Sequence, residues 1–162
     1  MNDKKEMTQI EAQLKFAKSS FNGIWELLDK TKRTPDDDEN MLLGAFASLY
    51  HWKQVGSAVN LQRGYWMISR VYQVLGSADQ ALQWAIKCQA VTEDNPSDME
   101  DYDFAFAQEC LARAYALADD LDRAKEHFDL AVDLGKKIED PEDRELFTND
   151  LQGGNWYQFS SE

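Results

Sequence analysis

The sequence predicts an all-α protein of about seven helices, packed as antiparallel pairs. Apolar residues recur at steps of three and four along most of the 162-residue chain, which is the spacing of one helix face. The chain has only 3 prolines and 8 glycines, and no segment shows the apolar–polar alternation of a half-buried strand. Short turns separate the periodic segments, so successive helices are expected to be antiparallel neighbours.

The first two helices are predicted from an apolar stripe and a capping signal. The stripe runs from Ile10 to Leu28 and defines a first helix over residues 4–31. Thr34 can cap a second helix in which Pro35 takes the first position. The four acidic residues that follow Pro35 favour the positive end of the helix dipole.

Glycines, prolines and capping residues predict the other helix boundaries. Glycines end the second, third and seventh helices, and an Asp-Pro pair opens the seventh. Ser77 with Gln80 predicts a capping box for the fourth helix, and Ser97 with Glu100 predicts one for the fifth. The predicted helices span about residues 4–31, 35–55, 58–75, 78–94, 98–118, 121–139 and 141–152.

These helices form one predicted domain, residues 1–152, followed by an aromatic tail, residues 153–162. The length supports one domain with a core large enough to need no disulfide or metal. The tail carries Trp156, Tyr157 and Phe159 behind a double glycine. Three interpretations of the tail remain open: packing back on the last helices, docking on a neighbouring chain in a homo-oligomer, or disorder.

Two stretches of the chain match when Tyr72 is aligned with Tyr115, which follows it by 43 residues. Small residues recur at equivalent positions, where two helices could cross closely. The matched pairs are Ile68 and Leu111, Ser69 and Ala112, Ala81 and Ala124, Ala85 and Phe128, and Cys88 and Ala131. This pattern resembles the tetratricopeptide repeat (TPR), and it covers residues 60–92 and 103–136.

The TPR resemblance implies a short right-handed superhelix of stacked helix pairs. It also implies a concave surface, lined by the first helix of each pair, that binds peptides or proteins. The chain departs from the family in its spacing, since TPR units recur every ~34 residues. Tyr65 and Gln108 stand where the family prefers Trp, and Asp119 replaces the turn glycine represented by Gly76. The Lys and Asn residues of the family's carboxylate clamp are not reproduced, so that specificity is not implied.

The third predicted helix supplies the candidate binding residues. Arg63, Trp66 and Arg70 are spaced three and four apart and share one helix face. The resemblance directs this face into the groove and puts Arg113 of the fifth helix at the position matching Arg70. His51, near the end of the second helix, is a further candidate for lining the groove. Guanidinium groups beside an indole suit an acidic protein segment or an anionic ligand.

These arginines have a second interpretation that involves no ligand. Each could pair with a carboxylate across the interface between the third and fifth helices. Glu109 and Asp103 are the acidic residues placed to accept them. Under this interpretation the arginines stabilise the fold, and replacing Arg70 would lower stability by leaving a carboxylate unpaired.

The function expected from these observations is a non-enzymatic module that binds a protein or peptide through an Arg/Trp-lined groove. A sensor of a small anionic ligand, using the same groove, is the first alternative, and an enzyme is the second. No motif for a metal site, a phosphate-binding loop or an activated nucleophile is present, and no cofactor is expected. His127 is expected to be an exposed helix residue.

Charge and cysteine usage predict the compartment and exclude some partners. The net charge of −13 disfavours nucleic acid and anionic membrane surfaces as partners. The first residues of the chain lack the apolar segment of a signal peptide. Cys88 and Cys110 lie within helical patterns and are expected to be buried free thiols. A cytoplasmic location is therefore expected.

Overall fold

Residues 7–160, which the computed structural model describes, form seven α-helices, one 3-10 turn and no strand. Helices account for 79% of these residues, so the all-α prediction is confirmed. Residues 4–6 of the predicted first helix and residues 161–162 of the predicted tail lie outside the described residues. The helices are α1 (Gln9–Leu28), α2 (Pro35–Val55), α3 (Ala58–Val74), α4 (Ala78–Asp94), α5 (Asp101–Leu117), α6 (Leu121–Gly135) and α7 (Pro141–Gln152), and the 3-10 turn is Pro96–Asp98.

The helices pack as successive pairs. The largest contacts join α1 to α2, α3 to α4 and α5 to α6, while α2–α3 and α4–α5 contacts connect the pairs. The odd-numbered helices also meet one another, since α5 contacts both α3 and α7, and Trp25 of α1 lies against Trp66 of α3. One side of the molecule is therefore built from the odd-numbered helices.

Three of the predicted helix starts form as expected. Thr34 precedes α2 and its hydroxyl accepts from the main-chain NH of Asp37, whose carboxylate accepts in return from the NH of Thr34 at 2.9 Å. Pro35 occupies the first position of that helix. Asp120 caps α6 and Asp140 caps α7, each through its side chain. These caps satisfy NH groups that have no partner within the helix.

The two capping boxes predicted for the fourth and fifth helices are wrong. Ser77 precedes α4, but its side chain makes no capping hydrogen bond. Ser97 lies inside the 3-10 turn, and Glu100 takes the N-cap position of α5 instead. The main-chain NH of Glu100 donates to the carboxylate of Asp103 at 3.0 Å. The start of α5 moves because the extra 3-10 turn uses the residues that were expected to open it.

The first and sixth helices end earlier than predicted. The first helix ends at Leu28 rather than residue 31, and α6 ends at Gly135 rather than Glu139. Gly135 packs so closely on Phe147 that an added Cβ would overlap the ring. Beyond this contact, the main-chain NH of Glu139 donates to Asp101 at the start of α5, at 2.7 Å. This bond holds the chain away from the path that a continued α6 would follow.

The turns after α3 and α5 have the same backbone conformation and the same main-chain hydrogen bond. Gly76 and Asp119 hold equivalent positions in the aligned stretches, and both have left-handed φ angles, 75° and 60°. The residue after each donates its main-chain NH to the aligned tyrosine carbonyl, Tyr72 at 2.9 Å and Tyr115 at 3.0 Å. Aspartate tolerates this conformation better than most non-glycine residues. The two stretches therefore share a backbone geometry as well as a sequence pattern.

Small residues fill the interfaces within the α3/α4 and α5/α6 pairs. Each of the four alanines expected at helix crossings has no exposed surface. The hydroxyl of Ser69 on α3 donates to the main-chain carbonyl of Ala81 on α4 at 2.7 Å. A side chain this small lets the two helices approach closely enough for that bond. The four alanines are Ala81, Ala112, Ala124 and Ala131.

Candidate functional site

An open cleft of about 400 Å³ lies between α1, α3, α5 and α7. Its lining is mainly apolar, with four polar side chains at its edges. The volume is at the lower end of the range for binding pockets, which is about 300–1,000 Å³. We name this feature the aromatic cleft. Its apolar side chains are Phe21, Trp25, Trp66, Tyr102, Phe106 and Leu146.

Aromatic contacts between three helices build the floor of the aromatic cleft. Trp66 of α3 packs against Trp25 of α1 at a centroid distance of 5.9 Å and meets Phe106 of α5 edge-on at 5.7 Å. Trp66 is buried, whereas Trp25 is 39% exposed and Leu146 of α7 is 63% exposed. Large apolar side chains exposed beside a cleft mark a candidate binding surface.

Arg63 lies at one edge of the cleft and is paired within the protein. Its Nε and Nη2 donate to the two carboxylate oxygens of Asp103 at 2.9 and 3.0 Å. Its Nη2 also donates to the hydroxyl of Tyr102 at 2.7 Å. The hydrogen bonds to Asp103 raise the pKa of Arg63 against the opposing effect of burial. The two-point contact occupies the fork that was expected to bind an acidic partner.

Arg70 and Arg113 share a buried carboxylate, that of Glu109. The Oε1 atom of Glu109 accepts from Nε of Arg113 and lies 3.5 Å from Nη1 of Arg70. Its Oε2 atom lies 3.4 Å from the indole NH of Trp66. Burial raises the pKa of Glu109, against the attraction of the two guanidinium groups. Arg70 reaches a second carboxylate, Asp150 of α7, at 3.3 Å.

Arg113 is enclosed by the last turn of α7 and the segment that follows it. Its guanidinium donates to three main-chain carbonyls, those of Asp150 at 2.6 Å, Gly153 at 3.0 Å and Asn155 at 3.1 Å. The ring of Trp156 covers it, with the guanidinium carbon 4.0 Å from the ring centroid. Arg113 is only 1% exposed. The expectation that Arg113 lines an open groove is therefore corrected, because its charge and its hydrogen bonds are used inside the fold.

The described part of the aromatic tail packs back on the helices. Trp156 meets Phe128 of α6 edge-on at 5.1 Å. The hydroxyl of Tyr157 donates to the main-chain carbonyl of Gln73 on α3 at 2.7 Å. Gly154 has a φ of 72°, and an added Cβ would lie 3.0 Å from Nη1 of Arg113. Of the three interpretations of the tail, the first describes this arrangement.

His51 does not join the other candidate residues. It lies on α2, contacts Gln13 of α1 through a hydrogen bond, and packs against Phe16 of α1 at 5.4 Å. These contacts place it at the α1/α2 interface, outside the lining of the aromatic cleft. The expectation that it lines the groove is corrected, because the even-numbered helices lie behind the odd-numbered ones.

His127 is half-buried rather than exposed. It stacks on Tyr115 with a centroid distance of 5.3 Å and an interplanar angle of 7°, and its Nδ1 lies 2.7 Å from the carboxamide oxygen of Gln108. Burial lowers the pKa of His127. The residue is a packing element of the α5/α6 pair.

The sequence pattern puts Arg63, Trp66 and Arg70 on one face of α3. Arg63 and Trp66 line the aromatic cleft, Arg70 does not, and the pattern misses the apolar half of the site. Phe106 and Leu146 were not selected from the sequence. Phe106 holds the repeat position that Arg63 holds in the first stretch, so the alignment contained a signal for it. Leu146 is an apolar residue that follows a mostly charged stretch at the start of α7, and only the placement of α7 beside α5 shows its role.

The remaining reactive groups do not form a second site. Cys88 and Cys110 are free and buried, and burial raises the pKa of Cys110 to about 12. Such thiols are poor nucleophiles. Within residues 7–160, no cluster of three or more His, Cys, Asp or Glu is arranged to hold a metal ion. Over the same residues, every helix is too short or too polar to cross a membrane.

Comparisons of the chain with protein-family models, with curated proteins and with solved structures gave no match.

Proposed function

We propose that this chain is a TPR-like, non-enzymatic interaction module that binds a protein segment in the aromatic cleft. The observation that carries the proposal is the exposure of Trp25 and Leu146 beside an open cleft of about 400 Å³. Exposed apolar side chains of this size gain free energy when a partner removes them from water. The cleft lies on the odd-numbered helices, which is where a TPR superhelix presents its concave surface.

Charge pairing favours a protein segment over the alternative, a small anionic ligand. Three guanidinium groups on α3 and α5 face three carboxylates, so the cluster is neutral as a unit. An added anion would have to compete with hydrogen bonds that are already made, and one of the arginines is fully enclosed. The pairs are Arg63 with Asp103, Arg70 with Glu109 and Asp150, and Arg113 with Glu109.

The proposal includes a cytoplasmic location. Its support is the state of the two cysteines, which are unpaired and buried. Free thiols persist in a reducing compartment and are commonly oxidised to disulfides in secreted proteins. Expression of a tagged chain followed by fractionation tests this part separately, and recovery in a secreted fraction would contradict it.

A peptide selection tests the proposed binding site. A random peptide library displayed on phage is selected on the full-length protein, and each recovered peptide is measured against two variants. Leu146→Ser removes an apolar wall of the cleft. Leu43→Ser is the matched control, because Leu43 lies on α2, away from the cleft, and is 61% exposed against 63% for Leu146.

We expect peptides whose affinity falls roughly tenfold with Leu146→Ser and is unchanged with Leu43→Ser. Trp25→Ala should weaken the same peptides, which provides a second cleft variant. The proposal would be refuted if the selection recovered no peptides. It would also be refuted if every recovered peptide bound both cleft variants with unchanged affinity. Saturable binding of phosphate or citrate at micromolar concentration that is lost with Arg63→Ala would instead support the anionic-ligand alternative.

A further inference from the structure

From α7, Leu146 and Asp150 line the aromatic cleft, and further acidic residues lie on the same face of the helix. Leu146 points into the cleft, and helical spacing puts Glu142, Asp143 and Asp150 on the same face of α7, one turn before and after it. The only basic residue of α7 is Arg144, which donates to the main-chain carbonyl of Ile138 at 3.0 Å. It lies in a separate depression, beside Phe147, and does not offset the acids at the cleft.

The charges nearest the cleft leave a negative excess on the α7 side. The negative charge of Asp150 is balanced by an ion pair with Arg70, and that of Asp103 by an ion pair with Arg63. Among residues 7–160, Glu142 makes no ion pair, and neither does Asp143. Across the cleft, Lys18 of α1 lines a neighbouring depression together with Phe21.

The carboxylate of Asp143 affects the pKa of Tyr102, whose ring is part of the apolar lining of the aromatic cleft. Burial is the main cause that raises the pKa of Tyr102. The positive charge of Arg63 lowers this pKa. The carboxylates of Asp103, Asp143 and Glu100 raise it further. Helical spacing puts Asp143 on the face of α7 that carries Leu146, and its charge acts on Tyr102 of the cleft lining. Its side chain is partly exposed, so a partner could approach it.

We propose that the partner is a basic amphipathic segment: its large apolar side chains enter the aromatic cleft, and its Lys or Arg side chains face Glu142 and Asp143. This inference rests on the proposed function and names the chemistry of the occupant. It replaces the acidic partner expected from the sequence, which depended on free guanidinium groups. The net charge of −13 would also speed the encounter with a cationic segment.

The composition of the selected peptides tests the inference. In peptides weakened by Leu146→Ser but not by Leu43→Ser, Lys and Arg should outnumber Asp and Glu next to the apolar positions. An excess of acidic residues, or no charge bias, would refute the basic partner while leaving the proposed function intact. If no peptide depends on Leu146, the proposed function itself fails, so the two failures are distinguishable.

A charge variant of α7 provides the second measurement, made with one synthetic peptide from that set. The double variant Glu142→Gln/Asp143→Asn should weaken its binding by roughly three- to tenfold, since exposed ion pairs contribute modestly. The matched control is Asp36→Asn/Glu39→Gln, which removes two exposed acids from the start of α2.

Binding should also weaken as salt increases, and this dependence should be smaller in the α7 double variant. Thermal unfolding of both double variants is measured in parallel, because acids in the first turn also stabilise the helix dipole. Equal weakening by the two double variants, or none by either, would overturn the assignment of Glu142 and Asp143 to the partner.

Discussion

Arg113 and Glu109 lie one turn apart on α5, and each side chain of this ion pair is only 1% exposed. Burying two charges costs free energy that their attraction recovers only when further hydrogen bonds are made. Here the further bonds come from three carbonyls at the end of α7 and in the segment after it, from Arg70 and from the indole of Trp66. The pair is therefore a structural element of the fold, placed directly behind the aromatic cleft.

Removing Arg113 should destabilise the protein strongly. Arg113→Ala leaves Glu109 short of its main partner and removes one donor from each of three carbonyls, so we expect a loss of about 3–5 kcal/mol in the free energy of unfolding. Urea denaturation measures the loss. Arg123→Ala is the control, because Arg123 pairs with Asp120 on the surface and should cost about 1 kcal/mol or less. Similar losses for the two variants would contradict the role assigned to Arg113.

Two glycine substitutions should have opposite effects. Gly154→Ala puts a side chain at a φ of 72° and 3.0 Å from Arg113, so it should destabilise the protein by about 1–2 kcal/mol. Gly23→Ala lies within α1 with nothing within 4 Å of the added Cβ, so it should stabilise by about 0.5–1 kcal/mol. The melting temperatures of the two variants check both expectations, and an unchanged or raised melting temperature for Gly154→Ala would be evidence against the described path of the tail.

Enlarging a buried alanine should test the predicted repeat alignment. Ala124 has no exposed surface and lies where α6 crosses α5, so Ala124→Leu should overpack this crossing and cost about 1–3 kcal/mol. Ala90→Leu is the control, because Ala90 is an exposed residue of α4 and should change stability by less than about 0.5 kcal/mol. An unchanged melting temperature for Ala124→Leu would mean that the alignment is wrong at this position.

Stability should depend on the protonation of His127. Burial holds the pKa of His127 below 6.5 in the folded state, so the folded protein binds this proton less tightly than the unfolded chain does. The contribution is therefore complete above pH 6.5 and is lost as the pH falls through the lowered value. The difference in unfolding free energy between wild type and His127→Gln should shrink from pH 8 to pH 5.

A direct titration of the imidazole by NMR checks the cause. The pKa of His127 should lie below the ordinary value of about 6.5, while a variant that exposes the ring, such as Tyr115→Ala, should move it back up. A value at or above 6.5 in the wild type would show that stacking on Tyr115 does not desolvate the ring.

Local signals were sufficient to predict most of the fold. Caps such as Thr34 and stops such as Gly76 act through neighbouring residues, so their effect can be read from the sequence. The predictions failed where contacts with residues distant in the sequence determine the local structure. At the end of α6, Gly135 is in close contact with Phe147 of α7, and the main-chain NH of Glu139 is held by Asp101 of α5.

The candidate site was predicted only in part, for the same reason. The spacing of Arg63 and Arg70 shows that they share a helix face, and the alignment adds Arg113. Spacing cannot show whether a guanidinium meets a ligand or a carboxylate of the same chain, because that depends on how α3, α5 and α7 approach one another. Internal pairing with Asp103 and Glu109 is one of the two interpretations that the sequence allows, and it is the arrangement in the structure.

The bond from Tyr157 to Gln73 joins residues 84 positions apart and spans two helix pairs. A stack of repeats in which each unit touches only its neighbours can unfold from its ends, one unit at a time. The tail removes that freedom, because it binds α3, α5 and α6 together through Tyr157, Arg113 and Phe128. Loosening any one of these helices also releases the others, so the part of the chain from α3 to the tail should open and close as one cooperative unit.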